Sequence, residues 1–313
     1  MLTVNKISEK EYSSLLNKFT NDSPLLFQQA NCLEYYDNVE FIKVTKDEKA
    51  VCVYAYPIII KNNKISARRP YRLLPYSLPA ILPQTTQIER KFILRKLFSY
   101  LFKKDVVYLP LFYQFHNFMS IQSLGGFLEQ RGTHYIENNG IYELPQKLKK
   151  EINKISGNIE IIEENSADLF NYEKAINGTE ISVMKRKEFA KSVFKNNQAF
   201  ILNAYDCNKK NVAGIFIMFD KSYAYLFHSW REKDSERGVI PMLIQFAISK
   251  CFNTLNLKGF DFEGSVIDSI DDFFSGFNTL IVSYPYIHFA SKDIDFMELI
   301  NTSVNIEGRI SND

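Results

Sequence analysis

Gly259-Phe260-Asp261-Phe262-Glu263-Gly264-Ser265 alternates apolar and acidic residues and then breaks at a glycine. The alternation predicts a strand over Gly259–Glu263. Side chains alternate across a pleat, so Phe260 and Phe262 face a core while Asp261 and Glu263 share the other side. Gly264 lets backbone approach a ligand closely at the strand's carboxyl end. A carboxylate pair in that position suits acceptor binding or general-base work. One of the two could equally cap the next helix or pair with a lysine or arginine.

Working outward, a helix is expected from about 239 to 253, and strands at 198–205, 212–219 and 223–229, with Cys207–Asn211 as a turn. Downstream come a short helix near 269–275 and a strand at Thr279–Tyr286. The first half has a similar order. Ser8 and Glu11 form a capping pattern for a helix ending near Phe19, and Lys46–Lys49 joins strands 39–45 and 50–60 into a hairpin. A Pro/Tyr/Arg loop spans Arg68–Pro83, followed by a helix over Thr86–Phe102 and a strand over Val106–Leu109. A helix at Ser120–Gln130, stopped by Gly132, and a strand at Tyr135–Leu144, interrupted at Asn138–Gly140, close the half. Between the halves, Pro145 opens a helix over Gln146–Ser156, and Leu148, Ile152 and Ile155 repeat at helical spacing. Two more helices are expected at 167–176 and 184–196. No short-period repeat is visible. A hairpin leading into β-α-β-α-β implies a mixed sheet covered by helices. The expected fold is therefore α+β, two tandem units over 1–145 and 146–313, each a mixed sheet flanked by helices.

Composition agrees with two folded units. The chain has 313 residues, 46% hydrophobic and 24% charged, which is globular rather than disordered. Its longest apolar run, Val51–Ile60, is about half of what a membrane-spanning helix needs. The first residues have no apolar core of a secretory signal. Four cysteines (Cys32, Cys52, Cys207, Cys251) and four histidines (His116, His134, His228, His288) are scattered, so no disulfide frame or metal site is expected. The expected setting is cytoplasmic, with no membrane span. Residues 1–150 carry 21 basic against 13 acidic side chains, a charge of +8, and residues 151–313 carry 17 against 23, a charge of −6. That split suggests an anionic ligand on the first half and the reacting chemistry on the second; unevenly scattered surface charge would look the same. The basic excess is too dilute for duplex nucleic acid.

Further candidate residues follow from chemistry. Alternation over Tyr223–Arg231 places Tyr225, Phe227 and Ser229 on one face and Leu226, His228 and Trp230 on the other. His228 could act as a base, because an imidazole titrates near neutrality; a lone strand histidine is also a common structural residue. Trp230 and Arg231 would suit a sugar, base or phosphate. Arg68, Arg69, Tyr71, Arg72 and Tyr76 form the densest basic-aromatic cluster, and guanidinium forks match a phosphorylated or nucleotide-linked acceptor.

The Asp261-Phe262-Glu263-Gly264-Ser265 segment resembles the "DFxGS" strand end of the Fem-type peptidoglycan aminoacyl transferases and their acetyltransferase-like (GNAT) relatives. The helix from Gly238, the segment Asp271–Phe277, the basic helix Lys149–Ile155 and the Pro-rich Pro75–Leu82 stand where that family has comparable landmarks. The resemblance implies two tandem GNAT-type domains, an acyl-CoA or aminoacyl-tRNA donor, and direct attack on the activated acyl group. It also implies that Ser265 and Phe274 border the substrate, and that Arg237 and Gly238 hold the donor's phosphates. Two departures stand out. Ser235, Gly238 and Ile240 occupy the three key places of the pyrophosphate loop, where the family has Gln or Arg, Gly, and Gly or Ala. The family's Phe-Gly pair is Phe277-Asn278. The expected function is an acyltransferase acting on an amine or hydroxyl of a small or cell-envelope precursor. A catalytically inactive GNAT-like protein binding such a precursor or a protein partner is the alternative. No long heptad stretch marks the coiled coil of tRNA-using relatives, so tRNA is the less favoured donor.

Overall fold

In this computed structural model the chain is described over residues 1–21, 23–68, 75–115, 117–140, 142–176, 180–263 and 268–291. It forms two compact units, residues 1–131 with 283–313, and residues 132–282.

The first unit begins with β1 (Leu2–Lys6) and α1 (Glu9–Thr20), whose first turn is capped by the Ser8 hydroxyl accepting from the Glu11 amide. After the short α2 (Ala30–Leu33) come β2 (Val39–Lys46), β3 (Lys49–Lys61), β4 (Lys64–Arg68) and the two-residue β5 (Ala80–Ile81). Next are α3 (Gln87–Leu101), opened by a Thr86/Glu89 capping box, then β6 (Val106–Pro110) and α4 (Phe118–Gln122). β1, β2, β3 and β4 pair antiparallel in that order, with β5 pairing β3 at its side. β4 then pairs parallel with β6 across the α3 crossover, and β6 pairs antiparallel with Tyr286–Ala290 of the last strand, β13 (Leu280–Ala290). One face buries Ile42, Val44, Tyr54, Val107 and Ile287 under Leu94, Leu97 and Phe98 of α3. Tyr12 of α1 packs on Phe41 of the other face.

The second unit repeats the plan. It takes Gly132–Glu137 of β7 (Phe127–Glu137), then α5 (Gln146–Ile155), β8 (Glu160–Glu164), α6 (Tyr172–Ala175), α7 (Glu180–Lys195), β9 (Ala199–Tyr205), β10 (Asn211–Phe219) and β11 (Tyr223–Arg231). α8 (Val239–Ser249), β12 (Gly259–Asp261) and α9 (Asp268–Ser275) complete it. β8, β9, β10 and β11 pair antiparallel in order, β11 pairs parallel with β12 across α8, and β12 pairs antiparallel with β7. The two ladders thus have the same sequence of directions. In each, the sixth strand lies outside the hairpin-crossover run that supplies the other five. Leu148, Ile152 and Ile155 of α5 join Leu243, Ile244 and Ile248 of α8 in burying Ile215, Ile217 and Leu226. No helix among the described residues is long and apolar enough to cross a membrane.

Two expectations are corrected, and three strands have no counterpart among the expected elements. The helix expected over Ser120–Gln130 ends at Gln122, and Phe127 already starts β7. Gly125 turns into the left-handed region (φ +84°), and a Cβ on Gly126 would lie 2.6 Å from the Phe102 ring, so the chain reverses there and meets its neighbour without side chains. The strand expected over Tyr135–Leu144 ends at Glu137, at the expected interruption, and Tyr142–Leu144 beyond it are not strand. β1, β4 and β8 have five residues each and carry no continuous apolar pattern.

A buried carboxylate ties the first unit together. Glu40 of β2 lies 2.5 Å from Lys6 of β1 and 3.0 Å from Lys104 beyond α3, and the Tyr56 hydroxyl of β3 donates to it. Burial pushes its pKa up, but the three donors outweigh burial and hold it below the ordinary carboxylate value. Glu40→Ala should cost about 2–4 kcal/mol at pH 7, because the donors lose a buried partner. A depressed folded pKa gives stability that is present above the unfolded pKa and lost as the solution is acidified. The difference between wild type and variant, measured by urea unfolding, should therefore hold from pH 6 to 8 and shrink as the pH falls below 4.5.

Candidate functional site

β12 and β11 run parallel for only three register pairs, Tyr223 with Gly259, Ala224 with Phe260 and Tyr225 with Asp261. β12 then ends, while β11 continues to Arg231. Beyond Tyr225 the strand bulges: Ile217 of β10 faces Leu226 and Phe216 faces His228, which leaves Phe227 as the extra residue. The bulge overturns the simple alternation expected for this strand. Leu226 stays in the core beneath α8, but Phe227 meets Phe189 of α7 at 5.6 Å and Phe216 at 5.7 Å. His228, opposite Phe216, lies beside Phe227 with ring centroids 4.0 Å apart. By this register Tyr225, Phe227, His228 and Trp230 occupy one side, and Asp261, paired with Tyr225, shares it.

Asp261 is fully buried. Its Oδ1 accepts from the Thr133 hydroxyl at 2.6 Å and from the Glu263 amide at 2.7 Å. Glu263 is not a strand neighbour of Asp261, as the alternation had predicted. It lies past the strand in a left-handed turn (φ +62°) and is half-buried. The Asp261 carboxylate holds the backbone of that turn, and the Glu263 side chain buries its Oε1. Phe260 and Phe262 are in the core as expected, 5.1 Å apart. Gly264 and Ser265 lie outside the described residues.

His228 is half-buried with its Nε2 inside the protein and unbonded among the described residues. Desolvation, with a further contribution from the buried Arg186 guanidinium on α7, holds its pKa well below the usual imidazole value. Tyr225 is fully buried and donates its hydroxyl to Asp220 at 3.1 Å. Trp230 is buried beside Gly214, and the Lys174 ammonium lies 5.2 Å from its ring. Arg231 is exposed at the strand end. Phe274 packs against Phe262 and His134. Arg237 is exposed, and Gly238 is buried at the start of α8, where a Cβ would lie 2.8 Å from the Glu151 carbonyl oxygen of α5. Asn278 takes the left-handed conformation (φ +56°) and so serves the turn that a glycine serves elsewhere.

Two residues without a sequence signal matter here. Thr133 reaches Asp261 across 128 positions of chain. His134 bridges Thr279 at 2.7 Å and Asp271 at 2.8 Å, which ties β7 to α9. In the first unit, Arg68 ends β4 in register with Tyr108 of β6. Tyr76 is buried among Phe27, Phe112, Tyr113 and Tyr284. Arg69, Tyr71 and Arg72 lie outside the described residues. The Arg131 guanidinium lies 4.3 Å from the Tyr286 ring centre and donates to Tyr108 at 2.8 Å, an arginine-aromatic contact that the sequence did not disclose.

No protein-family model matches the sequence, and no curated protein matches it. Among solved structures, FemX aligns over 96% of this chain and 99% of its own, with a TM-score of 0.63 at 10% identity. The chain has the Fem-type, GNAT-like acyltransferase fold. L-PGS from Bacillus licheniformis aligns over 95% and 97% with a TM-score of 0.56 at 9% identity. A tandem GNAT protein from the clavulanic acid biosynthesis pathway aligns over 92% and 98%, with a TM-score of 0.52 at 8% identity. At such identities the likeness is one of fold, and chemistry must be argued from the site.

His228 should stay neutral at pH 7, with an NMR titration midpoint well below 6.5. Arg186→Gln should move that midpoint upward by removing a neighbouring cation. Since the unfolded chain binds this proton more readily, His228 lowers stability progressively as the pH falls below 6.5. A midpoint at or above 6.5 would contradict the burial described for this ring.

Proposed function

We propose that this protein is an acyl- or aminoacyltransferase acting on an amine or hydroxyl of a small or cell-envelope precursor. The observation that carries this reading is the short parallel ladder. β12 ends at Asp261 while β11 runs on through a bulge, so backbone and side chains at the carboxyl ends of two parallel strands border one place. Ligands of open α/β sheets bind outside such strand ends. The fold likeness to FemX and to L-PGS supports the same class.

Acyl transfer breaks the bond between the acyl carbonyl and its leaving group, the thiol of acyl-CoA or the ribose hydroxyl of aminoacyl-tRNA. The acceptor's nitrogen or oxygen forms the new bond and gives up a proton. In our reading Glu263 accepts that proton, and the neutral His228 is the second candidate. Asp261 is a positioning residue, because both described bonds of its Oδ1 fix the strand end and the Glu263 turn. Amides of the bulged strand would stabilise the developing oxyanion. Arg68, Arg69, Tyr71 and Arg72 of the first unit are assigned to binding an anion, and, within the second unit, Ser265 and Arg231 to the substrate and Arg237 to the donor.

A second reading has its own observation. Gly238 is closed by the Glu151 carbonyl, and Ile240 and Pro241 are buried, so this helix start departs from an open, glycine-rich phosphate cradle. That favours either a donor other than acyl-CoA or a GNAT-like fold that only binds. A thermal shift series separates these. A ligand that binds the folded state raises the melting temperature with concentration. A rise with acetyl-CoA or aminoacyl-tRNA supports the enzyme; a rise with envelope precursors alone supports the binding protein. Where transfer is detected, Glu263→Gln should lower turnover by about 100-fold or more with little change in melting temperature. Unchanged turnover removes Glu263 from its role.

A further inference from the structure

The outer side of α3 has features that neither the fold nor the proposed chemistry uses. Its inner stripe, Ile93, Leu94, Leu97, Phe98 and Leu101, is buried. Its outer stripe repeats at the same spacing but is not uniformly polar. Ile88 and Phe92, one turn apart, are 71% and 56% exposed, and Met119 of the adjoining α4 is 66% exposed. Lys91, Arg95 and Lys96 interleave with them, all exposed. None of the three makes an ion pair among the described residues, and Glu89, the one acid within α3, is bound by Lys46 and Thr86. Beside the helix a groove of about 650 Å³ is lined by Leu78, Ile88, Leu94 and Phe115 together with polar side chains, Arg90 and Lys91 among them.

Exposed apolar groups of this size within a one-sign charged stripe are unfavourable in water and mark an interaction surface. We propose that the outer face of α3, with Met119, docks on an anionic phospholipid surface. Ile88, Phe92 and Met119 would enter the boundary between headgroups and acyl chains, Lys91, Arg95 and Lys96 would meet lipid phosphates, and the groove has room for part of an acyl chain. The basic stripe disfavours a second copy of the same face, since like charges would meet. Nucleic acid would use the cations, but it offers no apolar phase for Ile88 and Met119.

The test is co-sedimentation of the intact chain with phosphatidylserine–phosphatidylcholine vesicles, against pure phosphatidylcholine and a single-stranded RNA oligonucleotide. The wild type should bind the anionic vesicles and lose binding as salt rises. Phe92→Glu, at an exposed position that leaves the inner stripe intact, should bind at least about tenfold more weakly. Lys91→Glu with Lys96→Glu should abolish the preference for anionic lipid. Equal binding to both vesicle types, binding unchanged in Phe92→Glu, or binding to RNA in place of vesicles would each overturn the proposal. The readout involves no acyl transfer, so it stands or falls separately from the enzyme reading.

Discussion

The fully buried Asp261 carboxylate is the constraint on which the second unit's architecture turns. A carboxyl group removed from water is tolerable only when hydrogen-bond partners replace its hydration. Oδ1 accepts from a hydroxyl of β7 and from the amide of Glu263, so one buried group joins the strand beside it in space to the turn after it in sequence. The same bonds hold Glu263 in a left-handed conformation that a glutamate would otherwise avoid. Under the proposed function this geometry would be set before any ligand arrives, which is the arrangement that electrostatic catalysis requires.

The bulge in β11 is the second device. A regular strand would have sent His228 to the α8 side, among Ile215, Ile217 and Leu226. One extra residue at Phe227 sends it instead to the side of α7, where desolvation and Arg186 keep the ring neutral. Bulges also re-aim backbone amides, so the same irregularity governs both an imidazole and the main chain beside it. On the opposite side of the sheet, α5 and α8 meet so closely that Gly238 can carry no side chain. There packing by itself accounts for the glycine at the helix start.

Much of the frame was legible. Capping residues and apolar spacing placed α1, α3, α5 and α8 within a few residues, and the turn at Lys46–Lys49 placed the longest hairpin. The errors have a common cause. Local pattern continues a helix through Gly125-Gly126 because the packing partner of Gly126, Phe102, lies 24 positions away, and β1, β4 and β8 are strands by virtue of their neighbours rather than their own pattern.

For the site the division is sharper. Residue types and spacing alone determined that Phe260 and Phe262 would be buried, that an acid would stand at the strand's end, and that two hairpin-crossover units would follow one another. These are local properties, fixed by side-chain periodicity and turn chemistry. Only the tertiary structure decided that Asp261 is a buried anchor while Glu263 leaves the pleat, that Thr133 is its partner, and that a bulge carries His228 across the sheet. Those outcomes depend on hydrogen bonds and register between segments distant along the chain, which no periodicity within one segment can encode.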